Sequence, residues 1–411
     1  MKLSAARTGW CITVLGAAFI AYETLGPEHQ TAAEAAAMSA VCVICGDLGV
    51  LDAILNVLLF MPFGFGLRLA GVSRRRALLF AMASSFTIEL LQYTVIPGRD
   101  GNVGDFIMNS VGGLAGIVLA DSWRRVLFPG SAVSRAIRIA GGLVWLGLWS
   151  LSAFLLQPSV PATRWFAQVP SDGTYPEVFR GSVPSATLNG IALRSGPIPD
   201  GPALQERVLR EGARLEAVAV LAAPTSFLAS IVAVVDDHPT EILVFGQQRT
   251  DLVFRVLLRV PWVRLRQPTV RIPGILATAG DTVRLSAGFK DERYVLHART
   301  RTTDVKRVVP LSPSWGWSFL IPWSYSLGPE GVWLTTLWIA GLLAPLGYYT
   351  SRESPRPTGA LLFVGGVVLA GLAGVPFAAG MAPVHWSEWV AALTGIIVGL
   401  GLGRWSVSQT A

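Results

Sequence analysis

Charge is what this 411-residue chain has least of. Only 14% of its residues are Asp, Glu, Lys or Arg, against about a quarter in soluble domains. With 52% hydrophobic residues and a mean hydropathy of +0.52, an ordinary soluble domain and a disordered tail are both excluded. Cysteine is scarce, with Cys11, Cys42 and Cys45 alone, so a disulfide-dense secreted scaffold is excluded too. The "CVIC" run has redox or disulfide spacing but no flanking βαβ pattern, so an inert or locally disulfide-bonded pair is expected. His29, His238, His297 and His385 stand isolated in the sequence, and no metal site is expected. No P-loop, dinucleotide fingerprint or G-x-S-x-G elbow appears, so no cofactor is expected. Internal repeats and low-complexity tracts are also missing.

Long apolar runs are what remains. A membrane-spanning helix needs roughly 20 largely apolar residues. Eight runs meet that need: about 8–25, 50–70, 77–97, 105–121, 137–157, 331–350, 358–379 and 386–403. The first follows Lys2 and Arg7 and is read as an uncleaved anchor, because no clear small-x-small cleavage site precedes a polar start. With the N-terminus inside, thirteen Lys and Arg residues fall on inside segments and only Arg99 on a short outside loop. That bias is the usual mark of orientation. It predicts both termini cytoplasmic and 158–328 extracytoplasmic. It also explains the net charge of +7 without nucleic acid, which is not an expected partner.

The segment 158–328 differs in character. "RLEAVAVLAA" (214–223), "FLASIVAVV" (227–235), "EILVFGQ" (241–247), "DLVFRVLLRV" (251–260), "TVRLSAG" (282–288) and "RYVLHART" (293–300) are short, partly alternating and rich in Val, Leu and Phe. Many short strands at this spacing predict an antiparallel sandwich. "GQQRTD" and "GFKDER" read as hairpin connections. Three domains are therefore expected: 1–157 with five helices, 158–328 all-β, and 329–411 with three helices.

One stretch resists the apolar pattern: "IELLQYTVIPGRDGNVGDFIMN", 88–109. Glu89 and Gln92 are three residues apart, Asp105 and Asn109 four, and Asp52 and Asn56 in the second run four. Each pair shares one helix face. By the expected orientation all three pairs sit at outer helix ends, with Glu89 about 10 Å inside at 1.5 Å per residue. The short connection makes the third and fourth helices antiparallel neighbours. The pairs can thus converge on an outward-opening pocket, with Arg99 in its mouth near Asp105, Glu89 or an anionic ligand. Ionisable groups inside a bilayer cost roughly 2.5–3.5 kcal/mol on insertion scales and are functional by default. The competing role is interhelical glue or a wet headgroup position, which Asp52 and Asp105 fit best. Pro62 removes a backbone hydrogen bond inside the second helix. Gly112 and Gly116 form a GxxxG packing pair.

These residues carry a resemblance. Asp52, Asn56, Leu59, Phe60, Pro62 and Gly64, then Glu89 and Gln92, "PGR" ending at Arg99, Asp105 and Asn109, and Gly112, Gly113 and Gly116 together resemble the VanZ family of bacterial membrane proteins. "TLGP" (24–27) fits as well. The resemblance covers about 1–122. It implies a cell-envelope protein, with a founding member linked to teicoplanin resistance, and marks Glu89, Gln92, Arg99, Asp105 and Asn109 as the family's polar signature. Asp100 and Asn102 lengthen the polar loop here, leaving Arg99 a choice between Asp100 and Asp105. The β segment, ending in "PLSPSWGWSFLIPW", resembles the concanavalin A-like or laminin-G-like sandwiches appended to some of these proteins, and implies glycan or partner binding. An acidic E-x-D-x-x-E triad is missing, and no clear carboxylate pair for glycoside hydrolysis shows. Asp236–Asp237 and Asp291–Glu292 are read as solvated turn carboxylates rather than calcium ligands. Trp315, Trp317 and Trp323 are read as an interfacial belt rather than a sugar platform.

Three readings remain open. In the leading one, Asp52, Asn56, Glu89, Gln92, Arg99, Asp105 and Asn109 bind the head of a membrane lipid or lipid-linked envelope precursor, and the β segment holds a glycan or partner. In the second, Glu89 is a catalytic acid/base and Arg99 clamps an anionic group. In the third, the helices only anchor a lectin-like domain. The last three helices are polar-poor and receive no chemistry.

Overall fold

The computed structural model describes residues 2–26, 42–44, 46–96, 99, 101–170, 177–238, 240–290, 293–323, 325–353 and 358–408. The chain divides into two compact units: 1–133 with 261–266, and 134–260 with 267–411.

The first unit is built on four helices: α1 (Lys2–Leu25), α2 (Gly49–Leu69), α3 (Arg74–Thr94) and α4 (Val103–Leu127). Small residues decide how they pack. A Cβ on Gly112 would stand 2.3 Å from the Val57 carbonyl oxygen, and one on Gly116 2.0 Å from that of Met61. The GxxxG pair therefore lets α4 lie flush against α2, and the rising numbers on both sides make the two helices parallel. Gly9 against Ala70 and Gly16 against Phe63 set α1 antiparallel to α2. The antiparallel run of α3 along α4 follows from Ala81 against Gly113 and Ser85 against Asn109. Phe60, Phe63, Leu67, Ala81, Ile88 and Ile117 fill the space between. Helix α2 continues through Pro62. At one end of the bundle Asp121 accepts from Arg68 at 2.7 Å and Arg74 at 2.5 Å.

In the second unit α5 (Ser131–Leu155) leads into two sheets. The larger has the order β13-β9-β8-β7-β6-β1-β4 and the smaller β12-β11-β10-β5-β2-β3. The central strands are β5 (Ala213–Val220), β6 (Thr225–Asp236), β7 (Glu241–Arg249), β8 (Asp251–Val256), β10 (Thr282–Lys290) and β11 (Arg293–Arg299), at the six places the alternation predicts. The remaining strands are β1 (Trp165–Gln168), β2 (Ser182–Leu188), β3 (Ile191–Ala192), β4 (Gly196–Pro197), β9 (Thr269–Ile272), β12 (Asp304–Pro310) and β13 (Ser326–Leu327). Pairing is antiparallel throughout except β13 with β9. Phe254 of one sheet meets Tyr294 of the other with ring centres 6.3 Å apart, so the sheets face each other across an apolar layer. Burial of the Tyr294 hydroxyl pushes its pKa up. An additional helix, α6 (Gly201–Glu211), buries Leu204 and Val208.

Three further helices complete this unit: α7 (Val332–Glu353), α8 (Thr358–Leu369, continuing through a π turn at Ala370–Gly374 to Ala378) and α9 (Trp386–Ser408). The α7–α9 contact repeats the device of the first unit. Cβ atoms on Gly395 and Gly399 would come 2.3 and 2.0 Å from the carbonyl oxygens of Ala340 and Ala344. Trp145 and Trp149 stack at 5.1 Å against Ile339, Leu343 and Val364.

Among the described residues, seven helical stretches are long and apolar enough to cross a membrane: 5–25, 49–69, 103–127, 131–155, 329–353, 358–378 and 386–406. The eighth expected span, 77–97, lies on a full-length helix, α3, that is not among these seven. Three arginines begin it, and Ser85, Glu89 and Gln92 are buried on one side of it. The protein is a multi-pass membrane protein with an appended β region.

Candidate functional site

The expected site residues lie in the first unit, at the end away from Asp121. Its organiser is Asn102. This residue is extended (φ −137°, ψ 155°) and caps α4, its Oδ1 accepting the Asp105 N–H at 2.8 Å. Helix ends need such an acceptor because their first N–H groups have no intrahelical partner. The Asn102 side-chain amide then donates to Asp105 Oδ2 at 2.9 Å. Its backbone N–H donates to Glu89 Oε2 at 3.0 Å. From α2, Asn56 Nδ2 donates to Asp105 Oδ1 at 2.7 Å. Both oxygens of Asp105 are thus hydrogen-bonded, and one loop residue ties α3 to α4. Gly101 makes the route possible: a Cβ there would come 2.3 Å from the Glu89 carbonyl oxygen.

Gln92, buried, donates from Nε2 to the Thr24 carbonyl at 2.9 Å. Arg99 donates from Nε to Gly26 O at 3.1 Å and from Nη2 to Glu23 O at 2.8 Å. Its guanidinium therefore helps satisfy the carbonyls at the end of α1. Asp52, in the first turn of α2, and Arg99 both lie within electrostatic range of Asp105, as Asp105 does of Glu89. One turn deeper, Asn109 Nδ2 donates to Ser85 Oγ at 3.1 Å. Asn109 is 2% exposed, and its Oδ1 has no hydrogen-bond partner. The seven residues are thus gathered at one bundle end, drawn from α2, α3, α4 and the loop before α4, while α1 supplies backbone carbonyls to Gln92 and Arg99. Asp100, the other partner considered for Arg99, lies outside the described residues.

Burying carboxylates is costly unless they are hydrogen-bonded. Glu89, 9% exposed, and Asp105 meet this with neutral amide donors from Asn102 and Asn56. Such an arrangement can hold the hydrogen-bonding head of a ligand.

The residue pairing in the sequence missed Asn102, Ser85 and the Thr24 carbonyl. Asn102 had a signal: an Asn three residues before an acid, opening an apolar run, is a capping pattern. Ser85 lies four residues before Glu89 and so shares its face. Glu388, in a region expected to hold no chemistry, is 8% exposed. It is hydrogen-bonded by Ser314, while its Oε2 has no partner.

In the β region, Trp315 and Trp317 are buried, against the expectation of an interfacial belt. Trp315 Nε1 donates to Pro310 O at 3.1 Å and Trp317 Nε1 to Thr335 Oγ1 at 3.0 Å, so they seal the packing around the short 3-10 helix at 313–320. Trp323 is 64% exposed, as a belt residue would be. Asp236 Oδ1 accepts the N–H groups of His238 and Thr240 and thereby closes the β6–β7 turn, with Asp237 and His238 exposed beside it. Asp291 and Glu292 lie outside the described residues, as does Cys45. Cys42 is disulfide-bonded and Cys11 is free.

No curated protein and no solved structure matches this chain. Residues 14–124, under a third of the chain, match the VanZ/LLP1 family model, and the polar end just described lies wholly inside that span, so the protein carries a VanZ-like membrane domain.

Proposed function

We propose that the polar end of α1–α4 binds the head of an amphiphile, a membrane lipid or a lipid-linked precursor of the bacterial envelope. Binding there would contribute to glycopeptide resistance of the teicoplanin type. The observation that carries this is the clustering of Asp52, Glu89 and Asp105 at a single bundle end, with Arg99 in electrostatic range of Asp105 and the Asn109 Oδ1 buried and unpartnered. The VanZ/LLP1 match supports an envelope role. In this reading the protein sits in the cytoplasmic membrane with α3 as an eighth span and both termini inside. Two features support that orientation: the arginine bias, and the disulfide at Cys42 beside the same bundle end, since disulfides persist in oxidising compartments. The two facing sheets form a concanavalin A-like module that holds a glycan or partner outside.

Glu89→Gln tests the site. Glu89 accepts a backbone N–H from Asn102, and the Gln side-chain oxygen can accept the same bond. The variant is therefore expected to insert and melt like wild type while abolishing the shift in teicoplanin susceptibility that wild type confers on a bacterial host. A stable variant that confers the full shift would sink the proposal and leave the cluster as helix glue.

A further inference from the structure

A second site lies within the second unit, on residues to which the sequence assigned nothing. A cleft of about 410 Å³ opens where α5 runs into the sheets. Gln157 lines one side, the last turn of α6 another, and the turn Ala379–Met381 between α8 and α9 a third. Its depth in the membrane follows from its walls. Helix α5 ends at Leu155 and α9 begins at Trp386, so the cleft lies level with the helix ends that face the β region. Trp333 and Trp386 open α7 and α9 at that same end and are 60% and 69% exposed. Exposed tryptophans at helix ends mark the level where headgroups meet hydrocarbon.

The lining is amphipathic. Leu209 and Phe289 present apolar surface, Leu209 being 67% exposed, unlike Leu204 and Val208 of the same helix, which are buried. The charged lining residues are Arg210, Glu211, Arg259 and Lys290, three cations to one carboxylate. Arg210 is paired with Glu206 at 2.6 Å. Arg259 is held differently. Its Nη1 donates to Gln157 Oε1 at 2.5 Å, and its guanidinium lies 4.5 Å from the centre of the Phe154 ring. Gln157 in turn donates to the Ala379 carbonyl at 3.4 Å. Amide, ring and turn thus aim the Arg259 fork, which suits an oxyanion. Lys290 ends β10 at the rim and is exposed.

We propose that this cleft binds the phosphate head of an anionic membrane phospholipid, with Arg259 and Lys290 on the phosphate and an acyl chain along Leu209 and Phe289. The site would fasten the β region to the bilayer surface and is independent of the polar end of α1–α4. Charge complementarity and the cleft's level at the membrane surface favour a lipid over a soluble anion.

The test uses the full chain in neutral detergent, with native mass spectrometry reading added phosphatidylglycerol or phosphatidylcholine. Wild type is expected to retain phosphatidylglycerol preferentially, and millimolar inorganic phosphate is expected not to displace it. Arg259→Gln should weaken retention roughly tenfold, the effect of losing one charge-assisted contact. Because Arg259 also braces Gln157, two variants at exposed positions keep the test decisive if that protein does not fold. Lys290→Gln should weaken retention, and Leu209→Glu should abolish it by placing a carboxylate beside the head. Equal retention of the two lipids by wild type would overturn the proposal, as would full retention by Lys290→Gln and Leu209→Glu together. Displacement by phosphate alone would replace the lipid with a free-anion site and overturn it equally.

Discussion

The two helical regions are built alike and finished differently. Each contains a parallel helix pair brought to backbone contact by glycines four apart: Gly112 and Gly116 on α4, Gly395 and Gly399 on α9. Each ties one end with an acid between two arginines. Asp121 serves Arg68 and Arg74, and Glu353 serves Arg135 and Arg138 at 2.6 and 2.7 Å. The difference lies at the opposite end. In the first unit it gathers Asp52, Glu89, Asp105 and Arg99, whereas in the second it holds Glu388 beside a serine and a stacked tryptophan pair nearby. Shared packing devices therefore do not explain the polar end of the first region. Four helices can be held together without it, as the second region shows.

The largest expected effect tests the shared device. Gly116→Leu drives a side chain into the Met61 backbone, and Gly399→Leu does the same at Ala344. Overpacking against backbone that cannot yield costs about 3 kcal/mol, so each variant should lose most of its folded protein in detergent, seen by gel filtration and thermal melting. A well-folded Gly116→Leu with an unfolded Gly399→Leu would show that the two contacts are not equivalent.

An intermediate effect separates the two arginine ends. Glu353→Gln strips the partner from Arg138, whose side chain is only 5% exposed, and leaving a buried charge uncompensated costs about 3 kcal/mol. In Asp121→Asn the arginines are 30% and 71% exposed, so the loss should be about 1 kcal/mol or less. Melting temperatures of the two proteins in one detergent check the order. A larger fall for Asp121→Asn would reverse this part of the comparison.

The smallest effect concerns the β region, whose acid response must be known before the two bundles are compared at low pH. His297 Nε2 lies 2.5 Å from Asp304 Oδ1, and this hydrogen bond holds the Asp304 carboxyl below its usual value. A depressed folded-state pKa contributes stability above the unfolded value, about 4, and that contribution is lost as pH falls through the lower folded value. Asp304→Asn should therefore melt slightly below wild type at pH 7, and the gap should narrow as pH falls below about 4. A constant gap across that range would remove the carboxyl as the cause.

Legibility in the sequence followed burial. The central strands bury one face or both, so β6 and β7 were visible as apolar runs. Strand β12 lies at a sheet edge with alternate residues exposed, and β2 is built of small residues; neither stands out from a loop. Helix α6 was hidden because only Leu204 and Val208 of its residues are buried. At the candidate site the pairs Glu89–Gln92, Asp105–Asn109 and Asp52–Asn56 were readable from spacing alone. Asn102 reads in the sequence only as part of the polar loop, since its role depends on a backbone N–H reaching across to α3.

By itself the sequence determined that the chain is membrane-embedded, where its long apolar helices run, and which polar residues share a face, because run length and the 3.6-residue period depend only on neighbours along the chain. Which groups meet was decided by tertiary structure. Asp105 is bonded by Asn56 and by its own cap, Gln92 reaches the Thr24 carbonyl, and Arg99 is anchored on the carbonyls of Glu23 and Gly26. Those partners depend on helix rotation and depth. Both are set by backbone contacts at Gly101, Gly112 and Gly116, where the missing Cβ of a distant residue fixes how close two helices come.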